Sequence, residues 1–383
     1  MSIRTAMITG PAPASRDGVS DYAERLAGAL GGTGVEVTAV PVRPPAPGRW
    51  LAATVDTAET VRRLRPDVVH VQFAPSAYRF SALPGLLPRL LPPGTPVVTT
   101  VHEYGWWSAP DWLPGAVWRP LELLRLWDRE TALLVPASHT VVVTNPEHGT
   151  RVRQRTGRRP TLIPLAPNVD PTGVPRADAR RRLGVDEGDF LLVFFGFVHP
   201  VKGVRYLLEA LPALRAIRPD VRLAVAGGFT SQALPEDEAR AFRRELEALA
   251  ARCGVADAVS FTGYLPAPEV SALLAAADGV VLPFTAGVSA RSGALLAALA
   301  HGVPTAVTVP DEPDPRLRDG ENVATIRGRR DAAAIAVALR RLIGDPALRE
   351  RLAAGGRSLA AAHTWPAVAR AHRDLYARVL ADA

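Results

Sequence analysis

The sequence predicts an α/β protein of two doubly wound, Rossmann-like domains facing across a cleft, and three observations carry that prediction. Short β-branched runs alternate with longer helical patterns along the whole chain, the pattern of a parallel sheet with crossover helices. The series halts in a polar, charged stretch, "DPTGVPRADARRRLGVDEGD", and then restarts. A length of 383 residues exceeds what one core usually supports and fits two.

Taken in order, the first strand candidates are "RTAMITG", "VEVTAVPV", "VVHVQF", "PVVTTVHE", "HTVVVTN" and "TLIPLA". Each runs into a loop or helix rather than a hairpin turn. The second series is "FLLVFFGF", "VRLAVAGG", "VSFTGYL", "GVVLPF", "PTAVTV" and "NVATIRG". Between the two, proline, glycine and charge replace apolar periodicity near residues 170 to 188, which divides the chain into 1–172, 173–362 and a helical end, 363–383. Breaks in that last helical pattern are expected around Gly355 and Gly356 and at Pro366.

Composition narrows the function classes. With 48% hydrophobic and 22% charged residues, the chain is composed like a soluble globular protein. "MSIRTAMITG" is too short an apolar run for a signal peptide, and no run reaches the roughly 18 residues that span a bilayer, so a cytoplasmic protein is expected. One cysteine, Cys253, excludes an internal disulfide and a multi-cysteine zinc site. The net charge of +7 raises the question of nucleic acid, but the basic residues are dispersed and no binding motif is present. The densest basic run, "RVRQRTGRRP", reads first as a solvated helix end and second as a peripheral contact for anionic lipid or substrate.

Ligands of open parallel sheets sit outside the carboxyl ends of the strands, so functional residues are sought there. The first strand ends in "GPAPASRDGVSDYAERL", where Gly18 lets the backbone approach a ligand and a helix opening at Ser20 offers its N-terminus to an anion. A structural turn capped by Ser20 explains the same residues. The fourth strand ends in "TVHEYGWW", which places His102 and Glu103 at the mouth of the cleft with Trp106 and Trp107 beside them as faces for a sugar or apolar acceptor. Trp118 and Trp127 read instead as packing residues of a long helix, "PGAVWRPLELLRLWDRETALL".

Lys202, in "FFGFVHPVKGVRYLLEAL", is the single lysine among 45 basic residues. Where arginine has replaced every generic surface cation, a surviving lysine marks a site that wants a compact point charge. A cation at the first turn of a helix opposes the helix dipole unless a phosphate shares the site. One strand further along the second series, "VVLPFTAGVSARSGALLAALAHGVPTAVT" supplies hydroxyls at Ser289 and Ser292, charge at Arg291 and open backbone at Gly293 ahead of a small-residue helix.

These segments, in this order, resemble the retaining, nucleotide-sugar-dependent glycosyltransferases of family 4, which have the GT-B fold. The resemblance covers nearly the whole chain through "DGVSDYAERLAGAL", "DVVHVQF", "VVTTVHE", "LIPLAPNV", "GFVHPVKGVRYLLEAL", "LAVAGG", "VSFTGYL", "VSARSGALLAALAHGVPTAV" and "DGENVATI". It implies an acceptor-binding first domain, a nucleotide-sugar-binding second domain and a C-terminal helix that crosses back to the first. It implies that Lys202 and Gly18 approach the donor diphosphate and that His102 lies near the transferred sugar; the residues themselves add the expectation that Ser289, Arg291, Ser292 and Gly293 also hold the diphosphate, with no metal or other cofactor needed. Two departures stand out. Phe197 occupies the place of a family arginine, and Ser289 and Ala297 occupy the places of two family glutamates. A variant subgroup with "GF…P.KG" and "S.R.GSLL.ALAHG.P" is more similar to this sequence, and in it Arg291 would replace the missing phosphate charge. The rival expectations are a sugar-nucleotide epimerase of the same architecture and a catalytically silent sugar-nucleotide-binding subunit.

Overall fold

The computed structural model describes residues 2–13, 17–107, 114–229 and 236–382. The backbone divides into two units, Met1–Pro164 with Trp365–Ala383, and Leu165–Thr364. Residues 14–16 of the first strand-end loop, and Trp112 near the tryptophan cluster, lie outside the described residues.

In the first unit, β1 (Ile3–Thr9), β2 (Val35–Pro41), β3 (Val68–Phe73), β4 (Val97–Val101), β5 (Thr140–Val143) and β6 (Thr161–Leu162) pair in the order β2-β1-β3-β4-β5-β6, every pair parallel. The helices are α1 (Gly18–Gly31), α2 (Trp50–Leu64), α3 (Leu87–Leu90), α4 (Gly115–Leu123), α5 (Leu134–Ala137) and α6 (Pro146–Thr156). Both β3 and β4 are buried from end to end, as strands covered on both faces must be.

The second unit holds α7 (Arg176–Leu183), β7 (Phe190–Phe195), α8 (Val204–Arg215), β8 (Val221–Ala226), α9 (Glu236–Arg252), β9 (Val259–Gly263) and α10 (Ala267–Ala276). It continues with β10 (Gly279–Leu282), α11 (Gly293–Ala300), β11 (Thr305–Thr308), β12 (Ala324–Ile326), α12 (Ala332–Gly344) and α13 (Pro346–Ala360). Its sheet runs β12-β11-β10-β7-β8-β9, again all parallel. Successive side chains of β7 serve opposite faces: Phe190, Leu192 and Phe194 enter one core, Leu191, Val193 and Phe195 the other. The last helix, α14 (Trp365–Ala381), belongs to the first unit and packs on α1.

Each predicted strand is present in its predicted place, and the architecture is GT-B. Several local expectations differ. The units divide at Pro164/Leu165 rather than at 172, because the intervening segment packs on the second unit: Val169 enters its core and the Thr172 amide donates to Ser271 Oγ at 3.0 Å. Helix α1 opens at Gly18, not Ser20, since Asp17 is the better cap; its carboxylate accepts from the Ser20 amide at 3.0 Å and the Ser20 hydroxyl at 2.8 Å. Gly355 and Gly356 do not break α13. They sit inside it where a Cβ would stand 2.2 Å from the Glu321 carbonyl and 2.9 Å from Leu299 Cδ2, so they serve close packing. The chain breaks after Ala360 instead, and Pro366 lies in the first turn of α14, where a missing N–H costs nothing. The long helix expected around Trp118 and Trp127 is short: α4 contains Pro120, ends at Leu123, and the chain turns at Arg125 with φ +60°. Trp118 is covered by the guanidinium groups of Arg129 and Arg119, at 5.2 and 5.7 Å from its ring centroid.

Candidate functional site

A doubly wound sheet binds its ligand where the strand order changes direction, at the carboxyl ends of the flanking strands. In the second unit that point lies between β7 and β10. Lys202 follows β7, while Ser289, Arg291, Ser292 and Gly293 follow β10, so the topology brings two segments distant in sequence to one edge of the sheet.

The two loops are tied to each other through the backbone. Gly203 has φ +73°, and a Cβ on it would stand 1.9 Å from the Pro283 carbonyl oxygen, so only glycine fits the turn and its close approach. The Thr285 amide and hydroxyl both donate to the Val201 carbonyl, at 2.9 and 3.1 Å. Lys202 ends a 3-10 turn, Pro200–Lys202, and stands just ahead of α8 rather than in its first turn, because the left-handed Gly203 intervenes. Its ammonium lies 3.8 Å from the centroid of the Phe284 ring, which seats the charge between the two loops. His199 caps the same turn, and burial together with the Lys202 charge holds its imidazole below the usual histidine range.

Beyond β10, Ser292 is the N-cap of α11; its hydroxyl oxygen accepts from the Leu295 amide at 3.3 Å, and its own amide donates to the Ser289 carbonyl at 3.0 Å. The Ala290 amide donates to Asp314 at 2.9 Å, which fixes the loop from the β11 side. Arg291 is exposed and Ser289 half-buried. Gly293 leaves its first-turn backbone close to Asn168, whose Cγ would be 3.3 Å from an added Cβ. Asn168 Oδ1 is buried without a hydrogen bond. Asn168 stands in "LIPLAPNV", a segment recognised in the sequence without a role for this residue. Ala297 is 0% exposed within the core.

The first unit assembles the other group. His102 stands one residue past β4; its amide donates to the Phe73 carbonyl at 2.8 Å, and Nε2 lies 2.8 Å from Gln72 Oε1. The Tyr22 ring meets the His102 ring edge-on, with centroids 4.8 Å apart. Burial, aided by the neighbouring His148 and His372, pushes the His102 pKa down to about 3, so the ring is neutral at physiological pH. Glu103 accepts from the Ser76 hydroxyl at 3.0 Å. Trp106 and Trp107 pack on Phe80, with centroid distances of 5.8 and 6.2 Å, and Trp106 stays 57% exposed as an available aromatic face. A Cβ added to Gly18 would meet no atom within 4 Å.

A buried charge cluster that the sequence reading missed supports this loop. Gly105 has φ +99°, its amide donates to Glu130 Oε2 at 2.6 Å, and a Cβ there would stand 2.3 Å from Arg151 Cδ. Glu130 also pairs with Arg155 at 3.0 Å, while Asp128 accepts from the Tyr104 hydroxyl at 2.8 Å. Burial raises the Glu130 carboxyl to about 7. Much of the basic run at 151–160 is therefore spent inside the fold: Arg155 on Glu130, Arg151 on the Tyr104 carbonyl and Glu147, Arg158 on the Pro136 carbonyl. Two acids in "WDRETALL" behind a cluster of aromatics were the available signal.

Comparison with known proteins covers both units. Residues 6–169 match the family described as "Glycosyl transferase 4-like domain", and residues 189–345 that described as "Glycosyl transferases group 1". The chain is 28% identical over 319 residues to glycogen synthase of Mycobacterium tuberculosis, a match spanning 83% of this chain and 70% of that protein. Its fold is similar to that of sucrose-phosphate synthase from Thermosynechococcus elongatus, with a TM-score of 0.75, 21% identity and 100% of both chains covered. It is similar also to Anabaena HepE solved in complex with UDP and glucose, with a TM-score of 0.72 and 15% identity over 98% of this chain and 100% of that one.

Proposed function

The chain belongs to the GT-B glycosyltransferases that join a glycosyl transferase 4-like domain to a group 1 domain, and on that premise we propose that it transfers a sugar from a nucleotide-sugar donor, with retention and without a metal. The observation that carries the reading is the junction of the Lys202 turn with the loop leading into α11, at the point where the second sheet reverses its strand order. A nucleoside diphosphate seated there meets a point charge from Lys202, a second charge from Arg291, and the hydroxyl and backbone donors of Ser289, Ser292 and Gly293 at a helix N-terminus. HepE, a fold neighbour, holds UDP and glucose, which supports a donor of this class.

In this reading the chemistry is stabilisation of a leaving group. As the anomeric bond breaks, negative charge grows on the diphosphate and the sugar becomes oxocarbenium-like. Lys202 and Arg291 meet the growing charge, so no divalent cation is called for. The acceptor hydroxyl attacks from the face the diphosphate leaves, and no enzymic nucleophile is assigned. In the first unit, His102, neutral and fixed at the end of β4, is the candidate contact for a sugar, and Gly18 a candidate backbone contact for an anion. Glu103 and the Trp106 and Trp107 faces receive the acceptor.

The test is incubation with uridine, guanosine, adenosine and thymidine diphosphate sugars in the presence of EDTA, read by nucleoside diphosphate release and by NMR of the product anomer. Release with a retained anomer is expected. Sugar inversion without release would identify an epimerase, and stabilisation by one nucleotide without turnover a binding subunit. Arg291→Ala is expected to raise donor KM by about tenfold or more, the loss of one charge-assisted contact; unchanged donor affinity would remove Arg291 from the phosphate site.

A further inference from the structure

Behind His102 runs a line of buried polar side chains to which the transfer reading assigns no part. Gln72 Nε2 lies 3.1 Å from His70 Nε2. His70 Nε2 is also 2.7 Å from Thr100 Oγ1, and His70 Nδ1 is 2.6 Å from the Tyr376 hydroxyl on α14. His70, Gln72, Thr100 and Tyr376 are all 0% exposed. The period of two along a strand explains how they meet. His70 and Gln72 lie two apart on β3, Thr100 pairs with Gln72 across the sheet, and His102 follows Thr100 by two, so all four share one face, and α14 reaches that face through Tyr376.

Hydrogen-bond arithmetic assigns the His102 proton. An amide oxygen only accepts, so His102 carries its proton on Nε2 and donates it to Gln72. The Gln72 amide nitrogen lies 3.1 Å from His70 Nε2 and 3.4 Å from His70 Nδ1, so it rests against the face of that ring, while the Tyr376 and Thr100 hydroxyls, each able to donate or accept, hold the two ring nitrogens. This leaves His102 Nδ1 without a hydrogen bond among the described residues.

We propose that Gln72, His70 and Tyr376 are positioning residues for His102: they hold its ring in one orientation and one neutral tautomer, proton on Nε2, with Nδ1 kept as an acceptor for the donor sugar. The C-terminal helix thereby becomes part of the site, because the line ends on its Tyr376. The inference rests on the reading that His102 contacts the sugar. Burial supports it by keeping His70, His102 and the adjacent His372 uncharged, so the line is not disrupted by protonation near neutral pH.

The experiment uses the full chain labelled with 15N-histidine, assigned by difference against His102→Ala, together with kcat, donor KM and Tm. The unaltered protein is expected to show His102 wholly in the Nε2–H form. Gln72→Leu is expected to mix the two tautomers and to lower kcat by at least about tenfold, as misaligned groups do, with donor KM changed less than about twofold. Tyr376→Phe, which removes one hydroxyl, shifts the same signals with a smaller loss, and carries the test if Gln72→Leu does not fold. Gln72→Glu keeps an acceptor for Nε2–H and is expected to restore the tautomer and most of kcat. An unchanged His102 tautomer in Gln72→Leu and Tyr376→Phe, or Gln72→Glu no better than Gln72→Leu, overturns the proposal. Full transfer by His102→Ala would sink the sugar-contact reading instead, while the tautomer signals would still decide whether Gln72 sets the ring.

Discussion

Lys202 shows how one side chain acquires a role from its seat. Its ammonium lies on the face of Phe284, a ring packed against both cores of the second unit, so the charge is held at a defined place at the end of a flexible stem. Lys202→Ala is expected to lower kcat/KM by about 100-fold or more, the scale on which a lost electrostatic contact to a developing charge acts, with Tm unchanged. Lys202→Arg keeps the charge but replaces a point by a longer planar fork, and a loss of about tenfold or more is expected. An arginine variant as active as the parent would show that charge alone suffices. Composition made Lys202 legible because it is the one lysine. Phe284 was not legible, because only the pairing of β7 with β10 puts that ring beneath it. Gln72 and His70 were half legible: two polar residues two apart in "VVHVQF" are a signal in a fully buried strand, but their partners lie on β4 and α14.

At the scale of the element, the left-handed turn at Gly203 joins the Lys202 turn to α8 and touches the end of β10. Gly203→Ala places a methyl group against a backbone carbonyl in a conformation that side chains disfavour, and a loss above about 2 kcal/mol is expected in urea unfolding. Transfer is expected to fall further than the folded fraction, since Lys202 moves with the turn. Wild-type stability in this variant would mean the turn relaxes freely. Strands were read correctly from β-branched runs, whose period is local. Helix ends were read less well where two signals competed: Asp17 outcompeted Ser20 as cap, Pro120 and Arg125 ended α4 early, and Gly355 and Gly356 looked like a break although they make room for the loop at Glu321 and for α11.

Across the whole molecule, buried titratable groups set the response to pH. His102 and His372 are held down to about 3 and about 4, and His70 well below its usual range, all by burial. The unfolded chain protonates these rings near 6.5, so it binds more protons than the folded chain, and stability is lost as pH falls from about 6.5 toward the folded values. Glu130, raised by burial to about 7, and Asp128, also raised, act in the opposite sense: their contribution is present in acid and lost as pH rises toward the folded value. The lowered imidazoles, His199 and His301 among them, outnumber the raised carboxyls Glu130, Asp128 and Asp21, so a net loss of stability is expected as pH falls from 6.5 to 5. Glu130→Gln removes one opposing group and is expected to steepen it; denaturant unfolding across that range checks both, and a flat profile would contradict the neutral burial of the histidines. By itself the sequence determined the strands, the two-unit α/β architecture and the family, because periodicity and strand-end motifs are written in contiguous residues. Only the tertiary structure decided which loops share the reversal point of the second sheet, that Ala297 is in the core, and that α14 reaches His102 through Tyr376, His70 and Gln72. Those contacts join residues far apart in the chain, and packing, not local pattern, brings them together.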